Sequence, residues 1–346
     1  MNAFRQAGHS VGRLTPGPRG TVADVPGVRV GHTTVVRGEG DAAVRTGITS
    51  VLPPGDLYAE PLPAGAFVLH GHGKAVGLWQ LLHLGELETP ILLTNTLAVP
   101  RCADALITWT LARHPAARSV NPVVLECNDG RLSAIETRPV SEADALAALD
   151  GAGEDVVEGC VGAGTGTVAF GFKSGIGTAS RVVGSSIVGA LALPNMGRRD
   201  DLRFRGVPPH PGLLPEGEEG QRAPFPSMGE GGGEGDGGSL VVVLATDAPL
   251  LPEQLARLAR RSALGAARTG APATTGSGDF FVAFSTGWRI PRGDERIPVE
   301  FVADRSPTMD DLYRAAAEAT EEAIYSALLA ATPLVGRDGL SLPTLT

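Results

Sequence analysis

A serine stands at the boundary between the most polar and the most apolar stretch of the chain. Residues 229–238 read Gly-Glu-Gly-Gly-Gly-Glu-Gly-Asp-Gly-Gly, and Ser239-Leu-Val-Val-Val-Leu-Ala-Thr-Asp247 follows at once. A hydroxyl at the first position of a buried strand, fed by a glycine tract, is placed to attack the carbonyl that precedes it. Glycine at 238 removes the side-chain clash and permits the strained backbone that an N-to-O acyl shift needs. Hydrolysis of the resulting ester would leave an α-amine and a hydroxyl on one residue. An α-amine has an unperturbed pKa of about 7.7–8, so it serves as a general base near neutral pH. The chemistry is that of an N-terminal nucleophile. Composition alone also allows a plainer reading, a loop that enters a strand through a common Gly-Ser step.

Other groupings carry weaker signals. Val161-Gly162-Ala163-Gly164-Thr165-Gly166 has the look of a phosphate loop, which would make the protein a dinucleotide binder. Its spacing is GxGxG, and no strand–loop–helix unit with an acid about 20 residues on accompanies it. Lys74, in Gly71-His-Gly-Lys-Ala75, lacks the leading spacing and the Ser or Thr of a P-loop. His70 and His72 would share a face of a strand, and with Glu60 or His83 they could hold a metal. No third ligand has convincing spacing, so a structural role is favoured. Neither a metal nor an organic cofactor is expected.

The bulk properties narrow the classes further. The chain has 346 residues, 42% hydrophobic and 19% charged, with a formal net charge of −9. That suffices for a sizeable core and is unlike a disordered chain. No Lys- or Arg-rich run supports nucleic-acid binding, and the acidic balance mildly favours amine-bearing substrates. Cys102, Cys127 and Cys160 are odd in number and form no CxxC pair, which fits a reducing, cytoplasmic setting. No apolar run approaches the about 18 residues of a membrane span.

The elements that must position the serine alternate in type. Residues 1–20 read as a flexible tail, followed by one catalytic domain over 21–346. Strands are expected near Arg29–His32, Gly47–Leu52, Ala66–His70, Pro90–Thr94, Pro122–Glu126, Ser186–Leu193, Ser239–Thr246, Phe280–Phe284 and Pro298–Val302. Helices are expected at Lys74–Leu84, Ala103–Arg113, Ser141–Leu149, Pro252–Ala267 and Met309–Ala331. Ser141 with Asp144 has the spacing of a helix N-terminus. Residues 208–238, rich in Pro, Gly and Glu, read as a linker that cannot bury enough surface to order itself. The mixture argues for an α/β or α+β fold.

Several long blocks make the chain resemble the self-cleaving L-aminopeptidase/D-esterase-amidase family, which includes the β-peptidyl aminopeptidases. They are Asp24-Val-Pro-Gly-Val-Arg-Val-Gly-His-Thr-Thr34, Leu87-Glu-Thr-Pro-Ile-Leu-Leu-Thr-Asn-Thr-Leu97, Val161–Gly166 with Gly171-Phe-Lys-Ser-Gly-Ile-Gly-Thr-Ala-Ser-Arg181, and Gly238–Pro252. The resemblance spans about Thr21 to Ala331. It implies an αββα layered fold, cleavage between Gly238 and Ser239 into 21–238 and 239–346, and oligomers of the cleaved heterodimer. It implies substrates that are small peptides, amides or esters with a free N-terminal amine. It also assigns roles: Ser239 as nucleophile, Ser277 and Asp279 around the new α-amine, Asn195 in the oxyanion hole, and Glu126 near the substrate's amine. Two departures stand out. The segment before Ser239 is longer than expected. Cys127-Asn128-Asp129 occupies the place where some members carry an aromatic residue that supports the oxyanion. A related ornithine acetyltransferase-like acyltransferase is the neighbouring alternative, although such enzymes use threonine where this chain has Ser239; a non-catalytic relative that folds but never cleaves is another, and the intact set of Ser239, Ser277, Asp279 and Asn195 argues against it.

Overall fold

The computed structural model describes residues 1–204 and 238–345. The expected linker, 208–238, lies outside them apart from Gly238.

The strands are β1 (Arg29–Arg37), β2 (Val44–Leu52), β3 (Leu62–Gly71), β4 (Glu86–Leu87), β5 (Ile91–Asn95), β6 (Val123–Cys127), β7 (Val168–Ala169), β8 (Phe172–Lys173), β9 (Gly177–Val183), β10 (Ser186–Asn195), β11 (Ser239–Thr246) and β12 (Gly278–Ser285). The helices are α1 (Ala3–Gln6), α2 (Leu78–His83), α3 (Val99–Arg113), α4 (Glu142–Asp150), α5 (Pro252–Arg268) and α6 (Pro307–Leu329). A six-stranded sheet runs β4-β3-β12-β11-β10-β9, and a four-stranded sheet runs β1-β2-β5-β6. Helices α5 and α6 cover the outer face of the larger sheet, and α3 and α4 cover that of the smaller. Three apolar cores fill the spaces: one under α5 and α6, one between the sheets, one under α3 and α4. The order is helix, sheet, sheet, helix, the αββα arrangement.

Strand β11 shows why the sequence folds this way. Successive side chains of a strand point to opposite faces. Leu240, Val242 and Leu244 join the core under the helices, while Val241, Val243 and Ala245 join the core between the sheets. An unbroken apolar run, here centred on three valines, is what a strand covered on both faces requires. Strand β11 pairs antiparallel with β10 and parallel with β12, with α5 as the crossover. The N-terminal ends of β11 and β12 therefore meet the C-terminal end of β10.

Two local expectations fail. Residues 1–20 are not a loose tail. Asn2 caps α1 by accepting the Arg5 N–H at 3.1 Å, and Phe4 is fully buried and stacked 5.5 Å from the ring of Tyr325. Arg5 grips Glu322 through two hydrogen bonds of 2.6 and 2.7 Å. The cause lies in α6, which is buried nearly all round and carries Glu318 and Glu322 inside. An unpaired buried carboxylate is costly. Arg181 bonds both acids, and the Arg13 and Leu14 backbone N–H groups bond Glu318. The N-terminal segment completes that set of partners. Residues 298–302 are also not a strand: a Val302 N–H to Pro249 carbonyl bond at 3.1 Å and a Gln254 Nε2 to Val302 carbonyl bond at 2.7 Å tie them to the body without pairing them to a sheet edge.

The packing of this segment has a measurable consequence. Phe4→Ala should lower the unfolding free energy by about 3–5 kcal/mol in chemical denaturation, as for a large aromatic removed from a core. A change near zero would mean the segment does not pack in solution.

Candidate active site

The pairing register assembles the site. Ser239 lies opposite Asn195 on β10 and beside Gly278 on β12. Its parity with Val241 puts it on the face toward the second sheet, and it is buried. The C-terminal end of β6, with Glu126 and Cys127, crosses above these strands.

The Gly238–Ser239 peptide is held tightly. The Gly238 carbonyl accepts the Gly278 N–H at 3.1 Å, which polarises it. A Cβ on Gly238 would come within 2.5 Å of Met196 Cβ and 3.0 Å of the Asn195 carbonyl, so only glycine fits. On the other flank, Ser277 Oγ donates to Asp279 Oδ1 at 2.7 Å. Asp279 Oδ2 is buried and has no hydrogen-bond partner among the described residues. Burial pushes the Asp279 carboxyl up from its ordinary value, and the Ser277 hydroxyl, His70 and the Leu240 N–H oppose this. Asp279 pairs with Leu240, next along from Ser239, so its unmatched oxygen is a candidate acceptor for a cation formed at the start of β11.

His70 supports this flank. It lies across from Asp279 in the β3–β12 register, and its Nδ1 is 2.7 Å from the Ser277 carbonyl. A carbonyl only accepts, so Nδ1 carries a proton. The His72 N–H reaches the same carbonyl at 3.2 Å. The ring considered as a metal ligand thus braces the Ser277 loop. Among the described residues no group of three or more His, Cys, Asp or Glu is arranged to hold a metal.

Asn195 is fixed at both ends of its carboxamide. Its Oδ1 accepts the Val168 N–H at 3.0 Å, and its Nδ2 donates to the Asn128 carbonyl at 2.8 Å. An amide nitrogen carries two hydrogens, so one further donor remains for an oxyanion. Glu126, which could have been a solvated strand end, is buried; its Oε1 accepts the Lys74 N–H at 3.0 Å. The loop above it needs glycine, because a Cβ at Gly73 would lie 2.5 Å from the Phe280 ring and 2.9 Å from Glu126 Oε1.

The Cys127-Asn128-Asp129 departure has a structural use. Cys127 Sγ donates to the Leu193 carbonyl at 3.3 Å, the Asn128 carbonyl orients Asn195, and Asp129 is wholly buried. The contributions of Gly278, Asn128, Val168 and Met196 were missed from sequence. All but Met196 act through backbone groups, whose partners no residue type announces. The glycine-rich segment holds no phosphate site. Gly162–Gly164 is a buried 3-10 turn, and a Cβ on Gly164 would come within 2.4 Å of the Ile176 nitrogen.

Comparison with known proteins follows this geometry. The model of "Peptidase family S58" matches residues 20–342. The chain belongs to peptidase family S58. It is 40% identical over 339 residues to the β-peptidyl aminopeptidase BapA of Sphingosinicella xenopeptidilytica, covering 93% of this chain and 83% of that one. A solved Burkholderia sp. β-aminopeptidase matches with TM-score 0.87 and 39% identity, over 100% of this chain and 95% of that one. The L-aminopeptidase D-Ala-esterase/amidase of Ochrobactrum anthropi, described as a variant of the Ntn hydrolase fold, matches with TM-score 0.85 and 35% identity over 97% and 93%. As an S58 member the chain is a hydrolase, a serine aminopeptidase or amidase of the N-terminal-nucleophile type. The acyltransferase and dinucleotide readings are not favoured. Among the described residues no helix is long and apolar enough to cross a membrane.

Asp129 gives this region a pH signature. Burial raises its pKa from 3.8 to about 7, and the neighbouring Thr46 hydroxyl opposes this only in part. A carboxyl whose folded pKa is raised contributes stability that is fully present below the unfolded value and lost as pH rises through the folded one. The folded wild type should therefore lose stability between about pH 4 and 7. Asp129→Asn should flatten this dependence, read by urea denaturation at pH 5 and pH 8. Equal slopes in both proteins would show that Asp129 does not titrate in this window.

Proposed function

We propose that this S58 member matures by cutting itself between Gly238 and Ser239 and then removes N-terminal residues from peptides, amides or esters that carry a free amine. Ser239 Oγ attacks the Gly238 carbonyl carbon. The C–N bond breaks as the C–O bond forms, and the hydroxyl proton passes to the departing nitrogen. Water hydrolyses the ester to the Gly238 carboxylate and a Ser239 with free hydroxyl and free amine. The observation that carries this reading is the buried, unmatched Asp279 Oδ2, on the residue that pairs with Leu240 next along from Ser239. The new ammonium would supply its missing donor, so cleavage removes an unfavourable burial.

In turnover, Ser239 Oγ attacks the substrate carbonyl while the Ser239 amine takes its proton and returns it to the leaving group. Asp279 and Ser277 hold that amine. Asn195 Nδ2 donates its remaining hydrogen to the oxyanion, a contribution of about 2.7–4 kcal/mol for such donors. Water then releases the acyl group. The buried Glu126 receives the substrate's ammonium, a pairing that a blocked N-terminus cannot make. The likeness to β-peptidyl aminopeptidases supports β-aminoacyl amides among the substrates. Exposed Leu69, Trp79, Leu82 and Leu84 around α2 support an oligomer of cleaved heterodimers, and three free cysteines support a reducing, cytoplasmic setting.

Intact-mass analysis of wild type, Ser239→Ala and Gly238→Ala tests the reading. Wild type should give two fragments split after Gly238 and Ser239→Ala a single chain. Gly238→Ala should cleave slowly, because its methyl has no room beside Met196. Wild type remaining one chain of 35.5 kDa would overturn self-processing. Equal hydrolysis of a β-alanyl amide and its N-acetyl form would remove Glu126 from amine recognition.

A further inference from the structure

Lys173, on β8, is completely buried, and no step above uses it. Its Nζ donates to the carbonyls of Gly164 at 3.3 Å, of Thr167 at 3.0 Å and of Ser174. Three acceptors match the three hydrogens of an ammonium; a neutral amine would turn a lone pair toward one of them. Burial pulls Lys173 below its ordinary value, while Cys160 and Asp129 hold it up. Burying a cation costs several kcal/mol as an order of magnitude, and an apolar side chain of similar volume is often at least as stable. The position of this charge therefore calls for a use.

The Thr167 carbonyl and the Val168 N–H belong to one planar peptide unit. That N–H is the group that donates to Asn195 Oδ1 at 3.0 Å. An ammonium on the oxygen of a peptide draws charge through its resonance and makes the N–H a stronger donor. The same holds for the Asn195 carboxamide, whose Oδ1 receives that bond and whose Nδ2 carries the hydrogen read above as the oxyanion donor. We propose that Lys173 is a positioning residue for oxyanion stabilisation, its ammonium fixing and polarising the Thr167–Val168 peptide, which orients and polarises Asn195. The proposal rests on the reading of Asn195 as an oxyanion donor.

A double-mutant cycle tests it. Lys173→Met, Asn195→Ala and the double variant are made as chains 1–238 and 239–346 expressed together, so that none depends on self-cleavage for its free amine. kcat and KM for a β-alanyl amide are measured on folded protein. Deleting an oxyanion donor lowers kcat by about 10²–10³, and Lys173→Met should lower it by about tenfold with KM within about twofold. In the Asn195→Ala background the same change should alter kcat by less than about twofold. An equal loss in both backgrounds, or an unchanged kcat in Lys173→Met, overturns the proposal, since a merely structural lysine would act additively. An Asn195→Ala variant with wild-type kcat would instead remove the underlying reading of Asn195. Should Lys173→Met not fold, Lys173→Gln replaces it, because its carboxamide keeps donors for the carbonyls without the charge; the same outcomes decide.

Discussion

The alignment of three strand ends is the constraint on which the rest depends. Asn195 closes β10, Ser239 opens β11 and Gly278 opens β12, and all lie in one row across the larger sheet. A one-residue slip of β11 would turn Ser239 to the helix side and place Leu240 among polar groups. The slip is opposed because it would exchange the side chains packed into the two cores and drive the Ser239 hydroxyl into the apolar helix side. The stability of the sheet and the placement of Ser239 are thus one property.

Backbone groups fix much of the candidate site. The Gly278 N–H holds the Gly238 carbonyl, the Val168 N–H and Asn128 carbonyl hold Asn195, and the Ser277 carbonyl is held by His70 and His72. Such groups are fixed by the fold and lose little freedom when a transition state forms. Several depend on close packing that glycine alone permits, at Gly73 against Phe280 and at Gly238 against Met196.

Buried charge follows a common logic at both ends of the molecule. Around α6, Glu318 and Glu322 are satisfied by Arg181, Arg5 and backbone donors, and the result is a rigid frame. Near the site, Asp279 keeps an unmatched oxygen, and the buried Asp129 carboxyl is met only loosely, by neighbours such as the Thr46 hydroxyl. Natural structures leave few such atoms. Asp279 and Asp129 both lie close enough to Cys127, at the end of β6, to act on its thiol, and this sets the region apart from the satisfied frame around α6.

The sequence by itself determined the class and most elements. The β-branched run after Ser239, the Ser141 cap, matched by an Asp144 N–H to Ser141 Oγ bond at 3.2 Å, and the amphipathic helix from Pro252 are local signals that packing reinforced. Long motif blocks named the family, and with it Ser239, Ser277, Asp279, Asn195 and Glu126, which the fold gathers around the ends of β10, β11, β12 and β6. Local pattern misled at residues 1–20, whose order comes from acids on a helix some 300 residues away, and at 298–302, where a strand-like composition found no pairing edge. Only the tertiary structure decided that His70 braces the Ser277 loop, and that Lys173 stands behind Asn195. The reason is physical. Hydrophobic period and capping act over a few residues, whereas strand register and the partners of buried charges are settled only when distant segments meet.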